Sequence, residues 1–271
     1  MLETQDLTIR FGGHVAVDRV SCAFAPGTLT AIVGPNGAGK TTYFNLISGQ
    51  LPASEGRVLL DGQDITRLAA PLRTRLGLGR AFQLTQLFAK LTVHENVRLA
   101  VQAREAGRGQ GGAWGGVDFW RVWLDRKAWI DQAQAILVQV QLADKAGSLA
   151  SSLPHGDQRK LEVALLIALD PKVFMFDEPT AGMSVDEVPV ILDLIRGLKA
   201  RRDATILLVE HKMDVVRELA DRIIVLHQGQ LVADGEPAAV IASPIVQQAY
   251  LGGPATEHQA TRPAAQQGAP P

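Results

Sequence analysis

Residues 34–42, Gly-Pro-Asn-Gly-Ala-Gly-Lys-Thr-Thr, constrain this chain more than any other stretch. They fit the pattern G-x-x-x-x-G-K-S/T, whose glycines let the backbone curl until successive N–H groups point inward at phosphate oxygens. The apolar run Leu29–Val33 precedes the loop, and a helical pattern runs from Lys40 to Ser48 after it. The loop is therefore expected between a strand and a helix whose positive N-terminal end faces the same phosphates. Lys40 reads as a point charge for β- and γ-phosphates, and the Thr41 hydroxyl as a ligand for Mg²⁺. Asn36, Gly37, Ala38, Gly39 and Thr42 complete the expected nucleotide cradle.

A second signal lies far along the chain. The apolar run Val173–Phe176 leads directly into Asp177-Glu178. Two acids closing a buried strand are costly unless a cation or a water network receives them. Asp177 reads as the holder of the Mg²⁺ shell, and Glu178 as the general base that polarises the attacking water. With the phosphate loop, this predicts hydrolysis of ATP with Mg²⁺.

The apolar runs Val173–Phe176, Thr205–Val209 and Ile223–Leu226 suit strands buried on both faces, as in a parallel sheet. They alternate with helical stretches, one from about 156 to 169 and another continuing through Val138 to Leu142, which predicts an α/β fold. Residues 2–33 read as strands broken by turns, Val58–Leu60 before Asp61-Gly62 as a hairpin, and Gln228-Gly229 as a turn into a last strand over 230–234. Thr92-Val-His-Glu95 is a capping-box pattern, so a helix is expected after Thr92. The glycine-rich residues 106–116 read as a mobile loop, and beyond about 252 the Gly, Ala, Pro and Gln content predicts a disordered tail. Trp114, Trp120, Trp123 and Trp129 fall in or just after that loop, either as self-packing of a helical segment or as a contact surface for a partner or headgroup layer.

Net charge of −1 gives no basic footprint, so no nucleic-acid partner is expected. The single cysteine, Cys22, can form no intrachain disulfide. No apolar run approaches the length of a bilayer, and the acidic start from Met1 to Asp6 lacks a signal-peptide pattern. An intracellular product is expected, with membrane association only through a partner. His14, His94, His155, His227 and His258 show no metal-ligand spacing, and Arg159 and Lys160 read as a solvated helix face rather than a phosphate clamp.

Five further motifs, in order, resemble the ABC-type ATPases along nearly the whole chain to about residue 251. Phe11 matches the aromatic that stacks on adenine, and Gln83, in Arg80-Ala-Phe-Gln83, the glutamine that touches Mg²⁺ or water and senses the membrane subunit. Leu153-Pro-His-Gly-Asp-Gln158 resembles the signature motif, with Gly156 at its nucleotide-facing glycine; Ala181-Gly-Met-Ser184 resembles the D-loop, and His211 the switch histidine that contacts γ-phosphate. Arg10-Phe-Gly-Gly13, Gly156-Asp-Gln-Arg-Lys-Leu-Glu162, Glu210-His-Lys-Met213 and Ala249-Tyr-Leu-Gly252 are similar to the LivG-like ATPases of branched-chain amino acid importers.

The resemblance implies a P-loop NTPase fold with a RecA-like core over 1–83 and 163–251 and an N-terminal antiparallel β subdomain. It also implies a helical subdomain over 84–162, with an insertion at 105–130, and the tail at 252–271. It implies two permease subunits, a second, non-identical ATPase (or a homodimer in isolation), an external solute-binding protein acting indirectly, and a peripheral place on the cytoplasmic face of the bacterial inner membrane. Branched-chain amino acids, urea, amides or aromatic acids would be the cargo. A lipopolysaccharide-type exporter and a regulatory nucleotide-binding module are the alternatives. Pro154 stands where the family often has a phosphate-donating serine, and Ser184 where Asp or Asn is usual. Proline has neither hydroxyl nor N–H, which implies an asymmetric pair whose signature side here is weakened.

Overall fold

A computed structural model of the protein describes residues 1–81, 87–108 and 119–251, and the side chains within these apart from 106–108, 119–126 and 249–251. The chain opens with β1 (Leu2–Phe11), β2 (His14–Phe24) and β3 (Leu29–Val33), followed by α1 (Lys40–Ser48). Then come β4 (Glu55–Leu60), β5 (Gln63–Asp64), α2 (Ala70–Arg75) and β6 (Leu78–Ala81). Three longer helices follow: α3 (Val93–Arg108), α4 (Phe119–Gln139) and α5 (His155–Leu169). The remainder alternates: β7 (Val173–Asp177), α6 (Val188–Ala200), β8 (Thr205–Val209), α7 (Met213–Leu219), β9 (Arg222–His227), β10 (Gln230–Gly235), α8 (Pro237–Ala242) and α9 (Pro244–Leu251).

These strands form two sheets. An antiparallel sheet runs β2-β1-β4-β5, and a six-stranded sheet runs β10-β9-β3-β8-β7-β6, parallel except where β10 pairs with β9. Every residue of β3, β7 and β8 is buried, as their predominantly apolar runs predict. Successive side chains of β7 face opposite ways. Val173 and Met175 join the core shared with the antiparallel sheet and α1, whereas Phe174 and Phe176 join the core under α6 and α7.

The register decides where chemistry can gather. Ile32 pairs with Val209, Asp177 with Val209, and Ala81 with Phe176. The carboxyl ends of β3, β6, β7 and β8 therefore lie along one rim, where ligands of open α/β sheets bind.

Helices α3, α4 and α5 build a separate core around Val93, Val97, Val101, Leu137, Val140 and Leu161. The capping box forms as predicted: the Thr92 N–H and hydroxyl donate to Glu95, and the Glu95 N–H donates to the Thr92 hydroxyl. Helix α5 is shared, giving Leu161, Ala164, Leu165 and Ala168 to this core and Val163 and Leu166 to the one under α6. Residue 162, the expected subdomain boundary, thus falls inside a helix that serves two cores.

Two local expectations change. The helix expected to continue through Leu142 stops at Gln139, because Gln141 adopts φ 57° and turns the chain. Lys160 is not on a solvated face: it is buried and bonds Asp157 at 3.1 Å, while Arg159 pairs with Glu162 at 2.9 Å. Trp129 packs against the α3–α4–α5 core, as the self-packing reading requires. Residues 109–118, including most of the expected loop and Trp114, lie outside the described residues, as do Gln83 and the tail from 252. No described helix is long and apolar enough to cross a membrane.

Candidate active site

Helix α1 begins where it does because Gly39 takes φ 94°, open to glycine at little cost, and because a Cβ there would come 2.5 Å from the Ala16 carbonyl oxygen. The Gly229 N–H in the turn between β9 and β10 donates to the Ala38 carbonyl and props the loop from behind. Lys40 is buried, and its ammonium donates to the carbonyls of Gly34 at 2.7 Å and Pro35 at 2.9 Å. Burial pulls that ammonium below the usual lysine range, against the opposing pull of Glu178 and Asp177. A cavity of about 310 Å³ opens here, walled by the 36–42 loop, Glu178, His211, His14 and Ala16. A larger groove of about 790 Å³ runs between α4 and α6 past Gln132, Ile136 and Leu194. It lacks the convergent loop and helix N-terminus that phosphate needs, so donor chemistry rather than size marks the site.

At the end of β7, Asp177 is buried and ion-paired with Arg80 at 2.7 Å. Glu178 sits at φ 51°, a left-handed conformation that costs a non-glycine residue about 1–3 kcal/mol. Two backbone bonds hold it there, from its own N–H to Val209 and from the Ala181 N–H to its carbonyl. His211 Nε2 lies 2.8 Å from Glu178 Oε1, and the carboxylate accepts from the ring N–H. Behind them Glu210 is buried and accepts from the Thr180 hydroxyl at 2.5 Å, the His211 N–H at 2.8 Å and the Lys212 N–H at 3.2 Å. A phosphate cradle, a water-facing carboxylate and a histidine thus meet at the parallel rim, the arrangement of a nucleoside triphosphate hydrolase.

Residues 17–181 match the ABC transporter family. The chain is 37% identical over 253 residues to the high-affinity branched-chain amino acid transport ATP-binding protein LivG of Escherichia coli, covering 93% of this chain and 98% of LivG. The chain belongs to the ABC transporter family. BraF of Pseudomonas aeruginosa, also described as a high-affinity branched-chain amino acid transport ATP-binding protein, is 36% identical over 252 residues, covering 93% and 98% of the two chains. Among solved structures, a nucleotide-free ATP-binding cassette of an ABC transporter superposes with TM-score 0.76 at 30% identity, covering 93% of this chain and 99% of its own. A cassette in its ADP conformation gives 0.74 at 29%, covering 93% and 98%.

Within this ABC cassette the structure brings together Asn36, Gly37, Ala38, Gly39, Lys40, Thr41, Thr42, Glu178 and His211 around the cavity, with Asp177 beside them. Phe11 does not line that cavity. It is half exposed at the end of β1, across a hairpin turn from His14, and the hairpin lends the cavity His14 and Ala16 instead. Gly156 stands apart, at the start of α5, where the Glu187 carboxylate packs so closely that a Cβ would meet Oε1 at 2.0 Å. Its neighbour Asp157 is buried, which raises its carboxyl, but bonds from Lys145 and Lys160 outweigh this and leave it below the usual range. Pro154 caps α5 without a side-chain bond, and Ser184 spends its hydroxyl on Glu187.

Sequence reasoning missed Arg80, Asn45, Glu210 and His14 as parts of the site. The available signal for Arg80 was a single charge inside the buried strand Leu78-Gly-Arg-Ala81. For Glu210 it was an acid following the wholly buried β8.

Proposed function

We propose that this cassette powers an importer of branched-chain amino acids or closely related small solutes. Its near end-to-end similarity to LivG and BraF, both described as branched-chain amino acid transport ATP-binding proteins, carries that reading. The cassette itself is an ATP-hydrolysing subunit of an ABC transporter. Its partners in this reading are a second, non-identical ABC ATPase, two permease subunits at the cytoplasmic face of the membrane, and a solute-binding protein that acts on the permease. Phe11, exposed on the hairpin beside the cavity, is the proposed surface for adenine, and Gly156 presents the start of α5 to the partner's nucleotide.

In this mechanism the loop N–H groups and Lys40 receive the β- and γ-phosphates, and Lys40 exchanges its two carbonyl partners for phosphate oxygens. The Thr41 hydroxyl and the Asp177 carboxylate are hard oxygen donors at the mouth and floor of the site, a set that fits Mg²⁺. When bound there, the ion neutralises charge on the phosphate oxygens. Glu178 accepts the proton of the attacking water. His211 holds Glu178 through its ring N–H until nucleotide arrives, then turns that N–H to the γ-phosphate. Gln83 is proposed to complete the shell.

Affinity purification of the tagged chain from detergent-solubilised membranes of its own host, read by mass spectrometry, tests the assembly. Two multi-spanning permeases and a distinct second ATPase are expected; recovery of the chain without them overturns the importer reading. Glu178→Gln tests the chemistry. It is expected to lower ATP turnover at least about 100-fold while a fluorescent ATP analogue still binds. Unchanged turnover would remove Glu178 from its role.

A further inference from the structure

Strand β6 carries one charged residue, Arg80, and the sheet buries it. Its side chain is 2% exposed and that of Asp177 is 5% exposed. Nη2 donates to Asp177 Oδ2 at 2.7 Å, and Nη1 donates to Asn45 Oδ1 at 2.6 Å and to Ser48 Oγ at 3.0 Å. The guanidinium also lies 5.2 Å from the centre of the Phe44 ring. One planar fork thus joins three elements: β6, the strand before Gln83; α1, the helix that continues the phosphate loop; and β7, which ends in the carboxylates.

Stability is a poor reason for this pair. Desolvating two charges costs about as much as their attraction returns, and apolar side chains of similar volume would hold the sheet equally well. A fixed carboxylate orientation is what apolar packing could not supply. We propose that Arg80 is a positioning residue for Asp177. By occupying Oδ2 it sets the plane of the carboxylate and leaves Oδ1 for the divalent cation of the nucleotide. By anchoring on Asn45 and Ser48 it ties that carboxylate to the helix bearing Thr41, so the two oxygen donors keep one spacing. Partners that orient metal-binding carboxylates commonly act this way. The inference rests on the ATP-hydrolysing reading of the site.

The test is equilibrium binding of a fluorescent ATP analogue to the full chain, titrated with Mg²⁺ and repeated in EDTA. Arg80→Met is expected to raise the Mg²⁺ concentration at half-effect at least about tenfold, with binding in EDTA unchanged. Arg80→Lys is expected to recover only part, because an ammonium cannot reproduce the planar fork. In an Asp177→Asn background Arg80→Met is expected to add nothing, since its effect passes through that carboxylate. A wild-type Mg²⁺ titration for Arg80→Met, or the same loss with and without Asp177, overturns the proposal. Should Arg80→Met not fold, Asn45→Ala, which spares the ion pair, is expected to shift the midpoint about threefold in the same direction. No shift there overturns it equally. Failure of the wild-type chain to bind nucleotide at all would instead strike at the hydrolase reading.

Discussion

Glu210 shows how much a buried charge can organise when each of its bonds is made. Its carboxylate collects the Thr180 hydroxyl and the N–H groups of His211 and Lys212, pinning His211 to the segment that follows β7. Glu210→Ala strands the buried Thr180 hydroxyl at about 1–3 kcal/mol and releases the His211 and Lys212 N–H groups to water. Turnover is expected to fall with KM for ATP unchanged, because the phosphate loop is untouched; steady-state kinetics with a melting curve separate the two effects. Asp157 gives a pH signature. Its folded-state carboxyl lies below the ordinary 3.8, so its contribution to stability is complete above that value and is lost as pH falls below it. The stability gap between wild type and Asp157→Asn, measured by denaturant unfolding, is therefore expected to close on acidification below about pH 3.8. At this scale the sequence announces Lys40, Asp177, Glu178 and His211, because each belongs to a contiguous pattern. It does not reveal the roles of Arg80, whose acceptors Asn45, Ser48 and Asp177 all lie more than 30 residues away, or of Glu210, whose hydroxyl donor Thr180 is 30 residues away. It is equally silent on the left-handed backbone of Glu178, since nothing about glutamate favours φ 51°.

Among the elements, α3 is the one most fully written in its local sequence. Thr92 and Glu95 satisfy each other's N–H groups across its first turn, and the Val93 and His94 N–H groups donate to the carbonyls of Ser148 and Ala146. Thr92→Ala is expected to cost about 1 kcal/mol, with faster hydrogen exchange concentrated in α3. Strands β3, β7 and β8 are legible too, as short, mostly apolar runs that stop at a glycine or an acid. The end of α4 is not. Val140 and Leu142 are buried and continue an apolar pattern, while Val138 is 60% exposed. The pattern of buried side chains persists across the turn at Gln141 although the helix does not, and periodicity cannot register a turn made by an ordinary residue. Strand order is likewise beyond local reading, since β3 lies between β9 and β8, both distant in sequence.

Across the whole molecule, the rim where four strand ends meet is also where the two sheets and α1 share a core, so catalysis depends on global packing. Phe176→Ala, beneath Asp177 and in contact with the core under α6, is expected to cost about 3–5 kcal/mol, with nucleotide binding lost in the same denaturant transition. The helical lobe offers no independent route to unfolding, because α5 belongs to its core and to the neighbouring one. Every tryptophan of the chain lies between residues 114 and 129, and Trp129 packs, partly buried, against that lobe's core. Of the indoles, the one of Trp129 therefore reports on the lobe, while backbone dichroism averages the entire chain. The two optical signals are expected to fade together on heating, and an emission change that ran ahead of the dichroism would expose a lobe able to come loose from the catalytic body.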